Sequence, residues 1–135
     1  MPEIERGDLV TDVFGRWPSF HDAEVLRVRL DREGESGPWL EADIYAFDMT
    51  SEIDEHGYYV LDKKHVVSLR FDGLVALDLR WFNQQNVIST LDIDEATNAE
   101  EPAVRWHVDV GSSFGMEAQF DCASVRVVAV EPLAA

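Results

Sequence analysis

Residues 15–24, which read Gly-Arg-Trp-Pro-Ser-Phe-His-Asp-Ala-Glu, bring together the side chains of this sequence that are most capable of chemistry. His21, Asp22 and Glu24 could form an acid–base cluster or part of a metal site. Catalysis would need a cleft and a shifted pKa, and a metal ion would need further ligands from elsewhere in the chain. The structural alternative is a turn in which Ser19 or Asp22 caps main-chain N–H groups while His21 hydrogen-bonds across it. We favour the turn over a partner-binding role, and both over chemistry.

The other residues that could act as metal ligands form no recognisable set. His56, His65 and His107 show no i, i+2 or i, i+4 pairing, and Cys122 is the single cysteine. No glycine-rich phosphate cradle precedes a helical pattern. We therefore expect no metal ion, no cofactor and no enzymatic activity.

Four consecutive amide side chains, Asn83, Gln84, Gln85 and Asn86, lie between two apolar strand patterns. Their side chains could hydrogen-bond the neighbouring main chain within a bulge, because short amides compete well for main-chain groups. Alternatively, they could present a hydrogen-bonding patch to a partner. The structural interpretation is favoured over the binding one.

The charge of the chain limits the class of partner. There are 27 carboxylates against 11 Lys plus Arg, which gives a formal net charge of -16. This charge opposes binding to nucleic acid and to anionic membranes, and we expect neither as a partner. It would attract a basic protein and accelerate the encounter, although an acidic surface could also serve solubility alone.

Cysteine content and hydropathy indicate a cytoplasmic protein. The single Cys122 cannot form an internal disulfide, so nothing in the sequence requires an oxidising compartment. The first ten residues show no apolar run of the kind found in a signal peptide or anchor. No stretch approaches the roughly 20 apolar residues that would span a bilayer.

The elements that position residues 15–24 begin with a short helix. Apolar residues at helical spacing predict a helix over residues 7–14, started by Asp8 and ended by Gly15. Pro18 disfavours helix at the preceding residue, so the motif should begin as an extended turn. Trp17 and Phe20 are expected to anchor this turn in the core. On that expectation, Trp17→Ala destabilises the fold by about 3 kcal/mol or more.

Period-two alternation predicts the rest of the chain to be strand. Leu26, Val28 and Leu30 should face inward on the first strand. A second strand over residues 39–47 should turn Asp43 outward, and residues 48–57 should form a loop. The dipeptide Asp72-Gly73 predicts a hairpin. On its second strand four side chains should face inward, those of Val75, Leu77, Leu79 and Trp81.

About eight strands and one short N-terminal helix predict a mainly β, antiparallel fold, either a two-layer sandwich or a partly open barrel. The length of 135 residues suits a single domain. Its ends, residues 1–6 and 132–135, are expected to be loosely ordered.

Two segments resemble the immunity protein 50 family of bacterial polymorphic toxin systems. They are residues 14–25, Phe-Gly-Arg-Trp-Pro-Ser-Phe-His-Asp-Ala-Glu-Val, and residues 82–87, Phe-Asn-Gln-Gln-Asn-Val. The similarity extends through most of the chain, including Phe114-Gly115 and Phe120-Asp121-Cys122. The resemblance implies neutralisation of a toxin by binding, and it carries over no catalytic residues.

The resulting hypothesis is a protein that neutralises a cognate, basic toxin domain by direct binding through an acidic surface. Trp17, Pro18, Phe20 and Glu24 form the structural motif. The candidate partner-binding residues are His21, Asp22, Asn83, Gln84, Gln85, Asn86, Glu95, Glu100 and Glu101, with further rim carboxylates at Glu52, Asp54 and Glu55.

Two other functions remain open. A small-ligand-binding β-barrel would need an internal cavity. An enzyme would place His21 and Asp22 in a pocket with at least one further polar side chain. The oligomeric state has no signature in the sequence.

Overall fold

A computed structural model describes residues 4–96 and 104–133 of the chain. Within those two ranges the protein has one α-helix and nine β-strands. In chain order they are β1 (Ile4–Glu5), α1 (Asp8–Phe14), β2 (Glu24–Asp31), β3 (Trp39–Ile53), β4 (Tyr59–Asp72), β5 (Val75–Arg80), β6 (Val87–Glu95), β7 (Trp106–Phe114), β8 (Glu117–Cys122) and β9 (Ser124–Pro132).

Helix α1 forms where the apolar spacing predicts it, and its inner face buries Val10 and Phe14. The predicted cap is wrong, because Gly7 occupies the N-cap without a side-chain hydrogen bond and Asp8 lies in the first turn. The helix ends at Gly15, whose φ of 78° is readily adopted by glycine and whose N–H bonds the Thr11 carbonyl. Among the described residues, no helix has both the length and the apolar character that crossing a membrane requires.

The strands form one open sheet in the order β1-β9-β4-β3-β2-β6-β7-β8-β5, with β1 and β5 at its edges. All neighbouring pairs are antiparallel except β1 with β9. This confirms the predicted mainly β, antiparallel class with one short helix. Ile4 and Glu5, expected in a loosely ordered end, instead pair with Val125 and Arg126 of β9.

The sheet consists of two halves that meet where β2 joins β6. Only Glu24 and Val87 are registered as a pair there. The Val25 N–H donates to the Asn86 carbonyl, and the Ile88 N–H donates to the Ala23 carbonyl, both at 2.8 Å. We call this junction the seam; it comprises residues 23–25 and 86–88.

The sheet curls so that the inner faces of its two halves pack on each other. Phe71 of β4 and Phe120 of β8 make a T-shaped contact with ring centroids 4.9 Å apart, although four strands separate β4 from β8 in the sheet order. Both side chains are buried, as are Leu40, Leu69 and Val108 around them in the core. Such close packing of apolar side chains is the main stabilising contribution to the fold.

The predicted hairpin at Asp72-Gly73 is wrong. Strand β5 pairs with β8 and not with β4, because β9 and β3 occupy both sides of β4. Gly73 does adopt a turn conformation with φ of 69°, but the turn carries the chain from one half of the sheet to the other. The Asp-Gly signal reports local backbone shape, and the strand pairing is decided by distant residues.

Three residues predicted to face the core are exposed. Leu26 lies at the register shift between Val25 and Arg27 of β2 and is 38% exposed. Leu30 pairs with the buried Leu40, but it is the last residue but one of β2 and is 55% exposed there. Trp81 has a φ of 58°, which ends the alternation of β5 and leaves its side chain 64% exposed. A bulge or a left-handed residue interrupts the alternation locally, and such irregularities carry no simple periodic signal.

Residues 48–57 do not form the predicted loop. Strand β3 continues to Ile53 and β4 begins at Tyr59, so the two strands extend past the rest of the sheet. The pairing of β3 with β2 begins at Tyr45, and the pairing of β4 with β9 ends at His65. We call the projecting ribbon, residues 47–63, the arm.

A buried carboxylate ties β2, β3 and β4 together. Asp43 was expected outward, but its side chain is only 4% exposed. It accepts hydrogen bonds from Arg27, from Arg29 at 3.1 Å and from the Ser68 hydroxyl at 2.7 Å. Burial alone would raise the pKa of Asp43, but the bonds from Ser68, Arg27 and Arg29 more than offset it, so the pKa is lowered.

Asp43→Asn should lower the free energy of unfolding by about 1–2 kcal/mol at neutral pH, because the amide keeps the shape but loses the charge. Since the folded pKa is lowered, the contribution of Asp43 is present above its unfolded pKa and is lost as pH falls through the folded pKa. The difference between wild type and variant should therefore shrink in acid. Urea unfolding at neutral pH and near pH 3 tests this, with Asp12→Asn on the exposed face of α1 as the matched control. A difference that stays constant with pH would contradict it.

Candidate functional site

The clearest cleft near residues 15–24 lies between that motif and the base of the arm, with a volume of about 290 Å³. Its two walls are contributed by the turn that precedes β2 and by the outer part of β3. The lining residues are Arg16, Pro18, Ser19, Phe20, His21, Asp22 and Ala23 on one side, and Ala46, Phe47, Asp48 and Met49 on the other.

The turn that forms one wall holds two residues in left-handed conformations, Phe20 with φ of 61° and Asp22 with φ of 67°. This region is tolerated by Asp but costs an aromatic residue energy. The surroundings hold it in place: the Phe20 ring is buried, its carbonyl accepts from the Ala23 N–H, and the Asp22 N–H donates to the Ile88 carbonyl at 2.9 Å. The turn is therefore a rigid corner that fixes the start of β2 against β6.

His21 and Asp22 project from this corner with side chains that are 61% and 45% exposed. The His21 Nδ1 lies 2.9 Å from the Ser89 carbonyl, and its Nε2 lies 3.6 Å from the Asp22 carboxylate. The His21 main-chain N–H is capped by the Ser19 hydroxyl at 3.2 Å. Ser19 thus caps the turn as the structural interpretation predicts, whereas the His21 ring contacts β6 and does not bond across its own turn.

Arg16 and Asp48 line the cleft together with His21 and Asp22, so the cleft contains the further polar side chains that an enzyme would need. Arg16 contacts Asp48 at 3.5 Å, and Asp48 contacts Lys63 at the same distance. His21 and Asp22 are open to water, whereas electrostatic catalysis depends on groups held in a water-excluded site. The arrangement suits hydrogen bonding to another molecule and gives the enzyme interpretation little support.

Trp17 and Phe20 anchor the corner by a T-shaped ring contact with centroids 5.5 Å apart. Phe20 is buried as expected, but Trp17 is only partly buried. We therefore lower the expected cost of Trp17→Ala to about 2 kcal/mol, because part of the indole is already in water. Thermal unfolding checks this, with Trp81→Ala, which truncates an indole that is 64% exposed, as the control. An unchanged melting temperature for Trp17→Ala would show that the corner is held without its indole.

The four consecutive amide residues 83–86, which we call the amide block, are mainly structural. Asn86 is only 2% exposed, and its Oδ1 accepts from the N–H groups of Asn83 at 2.8 Å and Met116 at 3.0 Å. Its Nδ2 donates to the carbonyls of Asn83 and Val25. Asn86 is therefore unavailable to a partner in this fold, and it links the 82–87 segment both to β2 and to the β7–β8 turn.

The rest of the amide block faces solvent beside an apolar surface. Asn83 accepts from the Gln84 N–H at 2.9 Å, while Gln84 and Gln85 are exposed. Two exposed aromatic residues precede them, Trp81 and Phe82. This surface directly precedes the seam residues 86–88 in the chain, and its exposed rings and amides suit contact with a partner.

Those predicted acidic residues that the structure describes do not gather at the cleft. Glu95 ends β6, eight residues beyond Val87, which places it about 26 Å from the seam. Glu100 and Glu101 lie outside the described residues. Glu52, Asp54 and Glu55 are exposed near the tip of the arm. The structure thus groups His21 and Asp22 with the base of the arm, and it separates them from Glu95.

Other patterns that could indicate chemistry are explained by the strands. Residues 111–115 read Gly-Ser-Ser-Phe-Gly, which fits the letters of a hydrolase elbow, but they lie on β7 and its turn into β8. A nucleophile elbow needs a strand-to-helix turn. Cys122 is buried, and burial raises the pKa of its thiol to about 12, so it is a poor nucleophile. Among residues 4–96 and 104–133, no three His, Cys, Asp or Glu side chains are grouped to hold a metal ion.

Two features escaped the sequence patterns. Asp43 lies on the outer face of β3 by its alternation, so the pattern gives no sign of its burial. The sequence feature that indicates it is the pair Arg27 and Arg29 on β2, which lie opposite Asp43 and Glu41 on β3. The arm reads as loop because its residues are acidic and polar. The sequence feature that indicates strands in the arm is the short apolar series at Met49, Ile53 and Tyr59.

The interior gives no support to a small-ligand barrel, since the Phe71 and Phe120 rings contact each other between the two halves and belong to one buried apolar cluster.

A comparison with protein families matches residues 8–133 to the model described as Immunity protein 50. That range includes α1, the cleft, the seam and the arm. No curated protein and no solved structure gives a significant match.

Proposed function

The chain belongs to the immunity protein 50 family, and from this premise we propose that it neutralises one cognate toxin by binding it directly through an acidic surface. Family membership supports an immunity function, implies a toxin as the binding partner and suggests a non-enzymatic role. The match across residues 8–133 is the observation that carries the proposal. Charge, surface chemistry and the open cleft bear on how the binding would occur.

The charge of -16 supports a basic toxin as the partner. A negative field accelerates the encounter with a positively charged surface, and it disfavours nucleic acid and anionic lipid as competing ligands. We propose the cytoplasm as the place of the encounter, since a chain with one buried cysteine needs no oxidising compartment. Inhibition would follow from occupation of the toxin's active cleft or of its substrate-binding surface.

Coexpression with the product of the neighbouring upstream gene tests the proposal. Cells that make both proteins should grow, cells that make the toxin alone should not, and the two proteins should purify together. A catalytically inactive toxin variant should still bind, because the proposed inhibition depends on contact and not on turnover. The absence of both a complex and protection would overturn the proposal.

Salt dependence separates an acidic binding surface from an acidic surface that serves only solubility. If the carboxylates steer the encounter, the association rate constant should fall by about tenfold or more between about 50 mM and 500 mM NaCl. The dissociation rate constant should change much less. Stopped-flow association with the toxin measures both constants, and an association rate that is independent of salt would contradict acidic steering.

A further inference from the structure

The arm, residues 47–63, is a two-stranded ribbon that projects beyond both neighbouring strands of the sheet. On one side the β2 ladder starts only at Tyr45, and on the other side the β9 ladder stops at His65. A two-stranded ribbon alone in water is marginally stable. Its persistence in the fold therefore needs local stabilisation.

That stabilisation is present at the tip, in the middle and at the base. At the tip, the Asp54 carboxylate accepts from the N–H groups of His56 at 2.9 Å and Tyr58 at 3.0 Å. In the middle, the Thr50 hydroxyl donates to the Val60 carbonyl at 2.7 Å. At the base, Asp48 contacts both Arg16 and Lys63. A ribbon that is held in this way loses little conformational freedom on binding.

The arm exposes apolar side chains that the fold does not use. Ile53 and Tyr58 are 62% and 72% exposed, and Met49 and Tyr59 are also exposed. Scattered apolar residues are normal on a surface, but four exposed ones on one thin ribbon are a concentration of the kind that marks an interaction site. Ile53 and Tyr59 are registered as a pair, so they share one face of the ribbon. Tyrosine in particular supplies large contact area with few rotatable bonds, and it is enriched at binding interfaces.

Beyond the base of the arm, where Lys63 contacts Asp48, the charges of the ribbon are of one sign. Residues 49–62 contain four carboxylates, at Glu52, Asp54, Glu55 and Asp62, and no Lys or Arg. The tip thus combines apolar anchors with a negative rim. A second copy of this chain would bring the same carboxylates into contact, and like charges at close range oppose that pairing.

From these observations we propose that the arm enters a basic groove of the cognate toxin. In this complex Ile53 and Tyr58 fill apolar pockets, while Glu52 and Glu55 meet lysine or arginine side chains at the rim. This assignment rests on the proposed function, because it takes the toxin as the partner. It adds the contact face and the chemistry of the surface that receives it.

Two pairs of variants with matched controls test the arm. The apolar pair combines Ile53→Ala with Tyr58→Ala, and its control is Leu30→Ala, which truncates an apolar side chain that is 55% exposed. The charge pair combines Glu52→Lys with Glu55→Lys, and its control combines Glu33→Lys with Glu35→Lys. Both controls lie near the end of β2 and in the β2–β3 loop, at the opposite end of β3 from the arm.

The probe is the toxin domain encoded by the neighbouring gene, and the readouts are its dissociation constant and its association rate constant. The apolar pair should raise the dissociation constant by about 30-fold or more, as the loss of central anchors does. The charge pair should lower the association rate constant by about tenfold at low salt. Both controls should stay within about threefold of wild type, and all variants should keep the wild-type melting temperature, since the arm lies outside the core.

The possible outcomes separate this inference from the proposed function. If wild type binds and protects, but the arm variants do so equally well, the arm assignment is wrong and the immunity proposal stands. The same holds if Trp81→Ala or Phe82→Ala abolishes binding while the arm variants do not. If wild type neither binds nor protects, both proposals fail together. If sedimentation shows a dimer of wild type that the arm variants convert to monomer, the arm is a self-association surface and the assignment fails.

Discussion

Gly115→Ala is expected to lower the free energy of unfolding by about 4 kcal/mol, through a clash that its neighbours cannot relieve. Gly115 lies in the turn between β7 and β8 with a φ of 76°. A Cβ added there would lie 2.3 Å from the Gln85 carbonyl oxygen and 2.7 Å from the Asn86 Oδ1. The first of these atoms belongs to the main chain and the second is held by hydrogen bonds, so the turn and the amide block must separate.

Gly15→Ala is the matched control for this substitution. Gly15 has nearly the same φ, 78°, but no atom of the described residues lies within 4 Å of an added Cβ. Its cost should be only the left-handed backbone penalty, about 1 kcal/mol. Urea unfolding of the two variants therefore separates backbone strain from the clash. Equal losses would show that the β7–β8 turn moves freely away from the amide block.

Local features of this fold could be predicted from the sequence because they depend on neighbouring residues. The apolar spacing of α1, the left-handed Gly15 and the alternation along β7 each arise within a few residues. The corner at Trp17 and Phe20 could be predicted for the same reason, since Pro18 and the adjacent aromatics define it locally. The mainly β class follows from the sum of such patterns.

Strand partners could not be predicted, because they depend on residues far apart in the chain. The turn at Asp72-Gly73 has the same local chemistry whether it makes a hairpin or carries the chain across the sheet. The position of β9 beside β4 excludes the hairpin, and β9 begins at Ser124, more than 50 residues later. Contacts of such high sequence separation are decided by packing of the whole core.

The candidate site was only partly predictable for similar reasons. A turn capped by Ser19 or Asp22 was expected, and Ser19 does cap it, but the His21 ring contacts β6 and not its own turn. The partner-binding role of His21 and Asp22 stays a prediction. The arm was missed because loops and solvent-exposed ribbons share a polar composition. Asn86 was assigned to a block of four amides, and sequence cannot say which of the four is buried, because its partners Val25 and Met116 lie 61 and 30 residues away.

Asn86 explains why the two segments that carry the family resemblance belong together. The Trp-Pro-Ser-Phe-His-Asp corner positions the start of β2, and the amide block positions the start of β6. Asn86 lies where these starts meet and serves three main-chain segments with one side chain. The family motif is therefore chiefly a way of joining the two halves of the sheet.

Asn86→Ala should accordingly destabilise the protein by about 3–4 kcal/mol. The change leaves the buried Met116 N–H and the partly buried Asn83 N–H without their acceptor. Each unsatisfied buried group costs about 1–3 kcal/mol. Gln85→Ala, one residue away and exposed, should cost less than about 0.5 kcal/mol. Urea unfolding measures both values, and hydrogen exchange should show faster exchange at the Asn83 and Met116 amides in the Asn86 variant alone.

Asn86→Asp refines the interpretation, because it keeps an acceptor for Asn83 and Met116 but replaces the amide donor with an oxygen facing two carbonyls. If the acceptor role dominates, this variant should be more stable than Asn86→Ala, especially in acid, where the protonated carboxyl can donate again. If the seam were held by the main-chain bonds between β2 and β6 alone, Asn86→Ala, Asn86→Asp and Gln85→Ala would all unfold at the wild-type urea concentration. The seam has only one registered residue pair, and so short a ladder is weak by itself. We therefore expect the Asn86 side chain to add to the packing of the two inner faces in holding the halves together.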